Sequence, residues 1–318
     1  MVRDLSPIVV FVYNRPSHTL QTLTALSKNR MADESLLYIY SDGPRPEKGI
    51  EEEIKIAQVR KVIRSEKWSK KVIIRESPYN KGLAESIEGG VTEVVKKHKK
   101  IIVLEDDVIT SPGFLEYMND ALDFYENEKR VMHISGYMYP HTVKLPESLF
   151  FNVPYPGGGW GTWERAWSYY TNDTEYIYNR FNTARGWHRF NKFGGDFLQR
   201  QLVRNLTGEL RSWFIKWHGI LLMENGYTLY PGISLTNNIG FDDSGSNCPH
   251  VDKFTVTNLA DHISVRKIAV KENRVVRKMV KRFYQGPLSL KKMVYSELTR
   301  FILKEKIQKF KRDFFKNE

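Results

Sequence analysis

Along the first hundred residues, short apolar runs alternate with stretches whose apolar residues fall three or four apart. PIVVFVYN predicts a strand, and residues 16–29, with Leu20, Leu23 and Leu26 at helical spacing, predict the helix that follows it. LLYIYSDG predicts a second strand closed by an Asp-Gly-Pro turn, and GIEEEIKIAQVRKVIRS has the charge pattern of a surface helix. KVIIRES predicts a third strand and LAESIEGGVTEVVKKH another helix. KKIIVLED predicts a fourth strand, so nearly continuous in apolar residues that burial on both faces is expected. This β-α-β-α-β-α-β alternation implies an α/β fold with a mostly parallel, doubly wound sheet flanked by helices, whose ligands bind beyond the carboxyl ends of the strands. Three polar clusters fall at those ends: Asn14-Arg15, Ser41-Asp42 and Glu105-Asp106-Asp107.

The alternation then stops. LFFNVPYPGGGWGTWERAWSYY, a helical stretch through WFIKWHGILLMENG, and TLYPGISLTNNIGFDDSGSN are rich in aromatic residues and glycine. No repeat or low-complexity linker divides them from the first half, so residues 1–264 read as one domain with a 1–135 half and a 136–264 half. Composition shifts near residue 265. The chain of 318 residues is 41% hydrophobic, enough for a substantial core, and carries a net charge of +12. Residues 1–264 hold 32 residues of each sign, whereas residues 265–318 hold 17 Lys+Arg against 5 Asp+Glu and so carry the whole excess. In this tail Leu303, Ile307, Phe310 and Phe314 recur at helical spacing among Lys304, Lys306, Lys309, Lys311 and Arg312. A basic amphipathic helix of this kind suits an anionic membrane surface better than nucleic acid, its alternative being a helix packed on the parent domain. A single cysteine, Cys248, and an N-terminus without a basic-then-apolar leader pattern predict a reducing cytoplasm, with peripheral attachment at the inner face of the membrane. No run approaches the roughly 18 apolar residues that span a bilayer.

Three carboxylates at the mouth of a parallel sheet repel one another unless they bind a cation, are partly protonated or are well solvated. Their spacing suits a hard, oxygen-preferring ion, Mn²⁺ or Mg²⁺, that fills its remaining positions with water and phosphate oxygens. The alternative is that Glu105 or Asp107 caps a helix starting at Ser111-Pro112. The run VLEDDVITSPGFLEYM, with VYNRP after the first strand, YSDGPR after the second, YPGGGWGTWERAW and SLTNNIGFDDSGSN, resembles the GT-A nucleotide-sugar glycosyltransferases. The likeness is to the N-acetylglucosaminyltransferase I type and to bacterial sugar transferases of polysaccharide gene clusters. It spans roughly residues 7–250 and excludes the tail.

That resemblance implies a GT-A fold and transfer of a sugar from a nucleotide diphosphate, UDP more than GDP, to a glycan or lipid-linked acceptor, with inversion. It implies Asp107 as the direct metal ligand, Asp106 and Glu105 toward the ribose and the metal's waters, and Asp42 against the base with Arg15 nearby. Where the family has a His flanking the nucleotide this chain has Ser86. Gly159 and Trp160 would belong to an acceptor-side loop, Trp160 offering a flat face to a sugar or else packing with Trp163 and Trp167. An inverting transfer needs a carboxylate to take the acceptor's proton. The family places an Asp before the Trp of LRSWFIKW, but here Arg211 and Ser212 stand there, which leaves Glu209, Asp196, Asp242 and Asp243 as candidates. Relatives tend to carry a His at Asn247, and His250 is the nearby substitute ligand. NNIGFDDSGSNCPH reads as a lid or as a surface loop. Two rivals share the sheet: a sugar nucleotidyltransferase, whose N-terminal Gly-rich segment is missing from VYNRPSHTL, and a nucleotide-sugar-binding protein that has lost the base.

Overall fold

A computed structural model describes residues 4–155, 157–192, 196–242 and 252–285. Compactness divides the chain into two units, one of residues 1–169 with 225–272 and the other of residues 170–224 with 273–318. This division differs from boundaries at 135 and 264 because the second unit is a helical insertion within the aromatic half, to which the chain returns after residue 272.

In the first unit the expected alternation is present. Strand β1 (Ile8–Val12), helix α1 (Pro16–Ser27), β2 (Leu36–Ser41), α2 (Ile50–Val62), β3 (Lys71–Glu76), α3 (Leu83–His98) and β4 (Lys100–Glu105) follow in order. The chain continues through β5 (Val108–Thr110), α4 (Phe114–Phe124), β6 (Val131–Ser135), β7 (Ser148–Phe151), β8 (Trp160–Trp163) and the short α5 (Glu164–Trp167). Beyond the insertion it adds β9 (Tyr227–Pro231) and β10 (Thr236–Asn238). Eight strands form one sheet in the order β3-β2-β1-β4-β8-β6-β9-β7. The pairings among β1–β4 and that of β6 with β9 are parallel, whereas β8 and β7 run antiparallel to their neighbours. This is a mixed α/β fold with a mainly parallel sheet flanked by helices.

Sequence pattern explains the sheet's centre. All five residues of β1 are buried, and so are Ile101–Leu104 of β4, because central strands covered on both faces have no polar side to present. β6 and β8 are buried along their whole length too, yet VMHIS and WGTW lack the uniform apolar run that announces a strand. His133 in β6 stacks on Trp160 of β8, with ring centroids 5.2 Å apart. Gly161 lies beneath Met118 and Leu122 of α4 and leaves them room.

The second unit is helical over its described residues: α6 (Thr174–Phe181), α7 (Ala184–Phe190), α8 (Phe197–Leu206), α9 (Trp213–Met223) and α10 (Arg274–Gln285). Asp173, Thr183 and Ser212 cap α6, α7 and α9 by accepting from backbone N–H groups. α9 is apolar nearly all round, and its residues Ile215–Leu222 are buried, the usual reason for such a pattern.

Two buried histidines make stability pH-dependent. Burial lowers His133 to about 3. It lowers His218 to about 4 against the opposing pull of the Phe190 carbonyl. Both lie below the unfolded value near 6.5, so the unfolded chain binds more protons below that pH. Their contribution is therefore complete above about pH 6.5 and is lost as pH falls toward about 4 and 3. Denaturant unfolding should show a loss of about 3 kcal/mol between pH 7 and pH 5. His133→Gln should remove about half of that slope.

Candidate active site at the carboxyl edge of the sheet

β1 has β2 on one side and β4 on the other, so the chain's winding reverses between β1 and β4 and opens a crevice at their carboxyl ends. Arg15 follows β1, and Glu105-Asp106-Asp107 ends β4. The Arg15 guanidinium donates through Nη2 to Asp106 Oδ1 and, at 2.9 Å, to Asp107 Oδ2. One cationic nitrogen thus bridges two neighbouring carboxylates. Thr22 on α1 fixes the turn from beneath, its hydroxyl donating to the Asp106 carbonyl at 2.8 Å.

The other wall is the ladder between β5 and β10, which pairs Val108 with Asn238. That register sets Asn238 beside Asp107: its Nδ2 donates to Asp107 Oδ1 at 3.1 Å and to the Gly157 carbonyl at 3.0 Å. Ile239 N–H donates to the Asp107 carbonyl at 2.8 Å, and Gly240 N–H donates to Asn238 Oδ1 at 2.8 Å. A Cβ at Gly240 would overlap Asp107 Oδ2 and crowd Arg15, so only glycine lets this backbone pass so close. On α1, one turn from Arg15, His18 lies 3.1 Å from Asp242 through Nε2, and Asp242 is 46% exposed.

The electrostatics follow from burial. Glu105 is pushed up to about 8, first by desolvation and then by Asp107 and Asp106, with Arg15 opposing. Asp106 is also raised, by desolvation first, with Arg15 pulling it back. For Arg15 burial is the largest influence and opposes its charge, but Asp106 and then Asp107 outweigh it, and the guanidinium is held firmly protonated. Self-repulsion among the carboxylates is therefore relieved by an internal cation, Arg15.

The donor set fits a hard divalent cation. Two adjacent aspartates and water are what Mg²⁺ or Mn²⁺ takes beside phosphate oxygens, and the Arg15 nitrogen stands in for positive charge at that point. Among the described residues no group of three or more His, Cys, Asp or Glu side chains is arranged to hold a metal ion. Helix capping does not account for the carboxylates: α4 starts at Phe114 behind Gly113, with no side-chain cap.

Other expected site residues stand differently. Asp42 is 8% exposed, and all four acceptor positions of its carboxylate are engaged. Oδ1 accepts from the N–H groups of Gly43 and Lys81, and Oδ2 from Gly82 N–H and Asn80 Nδ2, at 2.9–3.0 Å. A saturated carboxylate has no lone pair left for a base N–H, so Asp42 organises the 80–82 turn that leads into α3 and half-buried Ser86. Asp42→Asn should destabilise the protein by about 3 kcal/mol in denaturant unfolding, since donors facing a charged acceptor would lose it.

Trp160 is 1% exposed, packed between His133 and, at 5.9 Å, Trp167. No ring face is left for a sugar, and the packed aromatic cluster is the arrangement found. Gly159, at φ +67°, is in the core, where a Cβ would strike Leu104 and Phe114. The part of the glycine-rich loop that reaches the site is Gly157, through Asn238. Asp196 and Glu209 belong to the second unit, where Asp196 pairs with Arg200 at 2.8 Å and Glu209 lies 3.7 Å from Arg204. Asp243 and His250 lie outside the described residues, and so does most of the expected lid.

His18, Asn238 and Gly240 complete the site without having been singled out from sequence. His18 is one helical turn beyond Arg15, a spacing that places two side chains on one face, and was legible once α1 was assigned. Asn238 is not legible, because only the β5–β10 register brings it to Asp107.

No family model matches the chain, and no curated protein matches it. Among solved structures, mouse xyloside xylosyltransferase 1 in its apo form aligns with 71% of this chain and 85% of its own at 10% identity, with a TM-score of 0.36. Two structures of S. aureus TarS align with 45% and 44% of this chain at 15% and 13% identity, with TM-scores of 0.29 and 0.28. The alignment spans 24% and 39% of those TarS chains.

Proposed function

We propose that the chain is a metal-dependent glycosyltransferase that moves a sugar from a nucleotide diphosphate sugar, a UDP-sugar by preference, to a glycan or lipid-linked acceptor with inversion, in surface polysaccharide biosynthesis. The observation that carries this reading is the Asp106–Asp107 pair, bridged by one cationic nitrogen at the crevice where the sheet's winding reverses. Asp107, with Asp106, would hold Mn²⁺ or Mg²⁺. Such an ion supplies positive charge to the departing diphosphate, which gains negative charge as the glycosidic bond breaks. Arg15, always charged, stands beside the same position and can exchange its carboxylates for phosphate oxygens. Asn238 and the close passage of Gly240 fix the orientation of Asp107. Asp242 is the described carboxylate best placed to take the acceptor's proton, being exposed, close in chain to Gly240 and paired with His18, which can hold its orientation or share the proton.

Transfer and hydrolysis assays with a panel of UDP- and GDP-sugars, with and without Mn²⁺, test this reading. Metal-dependent release of nucleotide diphosphate from one donor supports it. Tight nucleotide binding without turnover on any acceptor would instead favour a nucleotide-sugar-binding protein, and formation of the sugar nucleotide from its triphosphate a nucleotidyltransferase.

We also propose attachment to the inner membrane face through the tail. Among the described residues no helix is long and apolar enough to cross a membrane. On α10, Val276 and Val280 are buried while Arg274, Lys278, Lys281 and Arg282 are exposed, so this helix offers charge rather than an apolar stripe. The apolar positions 303–314 lie outside the described residues. Replacing Lys278 and Lys281 by Glu should weaken sedimentation with phosphatidylserine vesicles at least about fivefold per site, an effect that vanishes on phosphatidylcholine. Unchanged binding would contradict this role for α10.

A further inference from the structure

With Trp160 buried, the packed alternative holds for that ring, yet a different aromatic feature ends at Phe241, next in the chain to Gly240. Tyr137 and Tyr155 stack with centroids 4.1 Å apart and planes at 20°. Tyr155 stacks on Phe254 at 6.1 Å and 28°, and Phe254 on Phe241 at 5.3 Å and 16°. The four rings form one column, buried at its Tyr137 end and half-buried at its Phe241 end. The column is pinned from the side. The Tyr137 hydroxyl donates to the Phe254 carbonyl at 2.9 Å, and Val256 N–H donates to Asn237 Oδ1 at 2.9 Å, tying the 252–256 segment to β10.

The residue that carries the outer ring is flanked in the chain by groups of the site. Phe241 directly follows Gly240, where an added Cβ would overlap the Asp107 carboxylate, and directly precedes Asp242, which pairs with His18. Consecutive Cα atoms are about 3.8 Å apart, so the ring springs from the immediate neighbourhood of the carboxylates. A ring supported from below by three others holds its orientation without losing rotamer freedom on binding. Its face is electron-rich, and the C–H groups of a pyranose, polarised by the ring and hydroxyl oxygens, complement that face. An apolar face beside polar groups that fix orientation is the usual composition of a small-ligand site.

We infer that Phe241 is the platform on which a pyranose ring stacks during the reaction, with Asp242 beside it to accept from a sugar hydroxyl. The inference rests on the transferase reading of the same site. The pyranose is either the donor's sugar or the acceptor's, and the same experiment separates them.

Saturation-transfer NMR, irradiating aromatic protons, is run on the full chain with diamagnetic Mg²⁺ and UDP or GDP, with UDP-glucose and UDP-N-acetylglucosamine, and with methyl β-glycosides of glucose, galactose and N-acetylglucosamine. It is repeated on Phe241→Leu, which keeps apolar bulk but loses the face, and on Phe241→Tyr, which keeps the face. The platform predicts saturation of pyranose protons and an affinity for the sugar-bearing ligand about tenfold weaker in Phe241→Leu, restored in Phe241→Tyr, with UDP binding equal in all three. Loss confined to UDP-sugars marks the donor ring, and loss confined to methyl glycosides the acceptor ring. If UDP binds but pyranose protons receive no saturation, or Phe241→Leu binds sugars as the wild type does, the platform is overturned and the transferase reading stands. If neither UDP nor GDP binds while a glycoside binds through Phe241, the platform stands and the transferase reading falls. Failure of nucleotides and glycosides alike to bind overturns both.

Discussion

Replacing Asp107 by Asn should weaken Mn²⁺-dependent UDP binding by about a hundredfold or more and abolish turnover, while the unfolding midpoint moves little. The substitution keeps the shape of the side chain and a carbonyl oxygen, so the contact with Asn238 or with Arg15 is retained in part. It removes the negative charge on a carboxylate that meets Arg15 and Asn238 and lies against Gly240. Even outer-shell partners of a metal are commonly worth 10–100-fold, so loss of a direct carboxylate ligand should exceed that range. Titration calorimetry with UDP, with and without Mn²⁺, measures the first effect and denaturant unfolding the second. Binding as tight as the wild type's would remove Asp107 from the site. A large loss of stability with unchanged binding per folded molecule would make it a structural residue.

The second large effect is expected at Arg15. Its side chain is only 17% exposed and is, among the described residues, the cation bonded to both Asp106 and Asp107. Arg15→Met keeps the aliphatic packing and leaves two neighbouring, largely buried carboxylates without it. Breaking a buried ion pair by removing one partner typically costs about 3–5 kcal/mol, because the surviving charge is uncompensated. The variant should therefore be destabilised by about that much in metal-free buffer. Added Mn²⁺ should restore more stability to Arg15→Met than it adds to the wild type, since the ion then supplies the missing charge. Equal Mn²⁺ effects on the two proteins would mean that metal and guanidinium do not share a position.

How much of this was legible depends on the element. β1 and β4 announce themselves because a strand buried on both faces must be apolar throughout, and the charged residues that end them then locate the crevice. Arg15 and Asp107 could be placed at one edge from that alternation alone, though not in contact. β6, β8 and β9 escape the same reasoning. VMHIS carries a histidine and a serine, and WGTW alternates bulky residues with a glycine and a threonine, so their burial comes from neighbours distant in sequence. Trp160 shows the same limit from the other side: a tryptophan beside glycines reads equally as an open platform or a core ring, and only the antiparallel insertion of β8 between β4 and β6 decides it. Asp42 was found at the right strand end, but its saturation by the 80–82 turn depends on backbone N–H directions that residue types do not encode. The helical second unit was visible only at α9, whose apolar residues on every side demand burial.

The central claim is that a divalent cation and a nucleotide diphosphate meet at Asp107. Anomalous diffraction at the manganese edge, from crystals soaked with UDP and Mn²⁺, tests it most directly. The account predicts a single strong peak bonded to an Asp107 carboxylate oxygen at about 2.1 Å, shared with diphosphate oxygens, with the Arg15 guanidinium no longer bridging the two aspartates. No peak at Asp107, with Arg15 still bonded to both carboxylates and nucleotide absent from the crevice between β1 and β4, would contradict it.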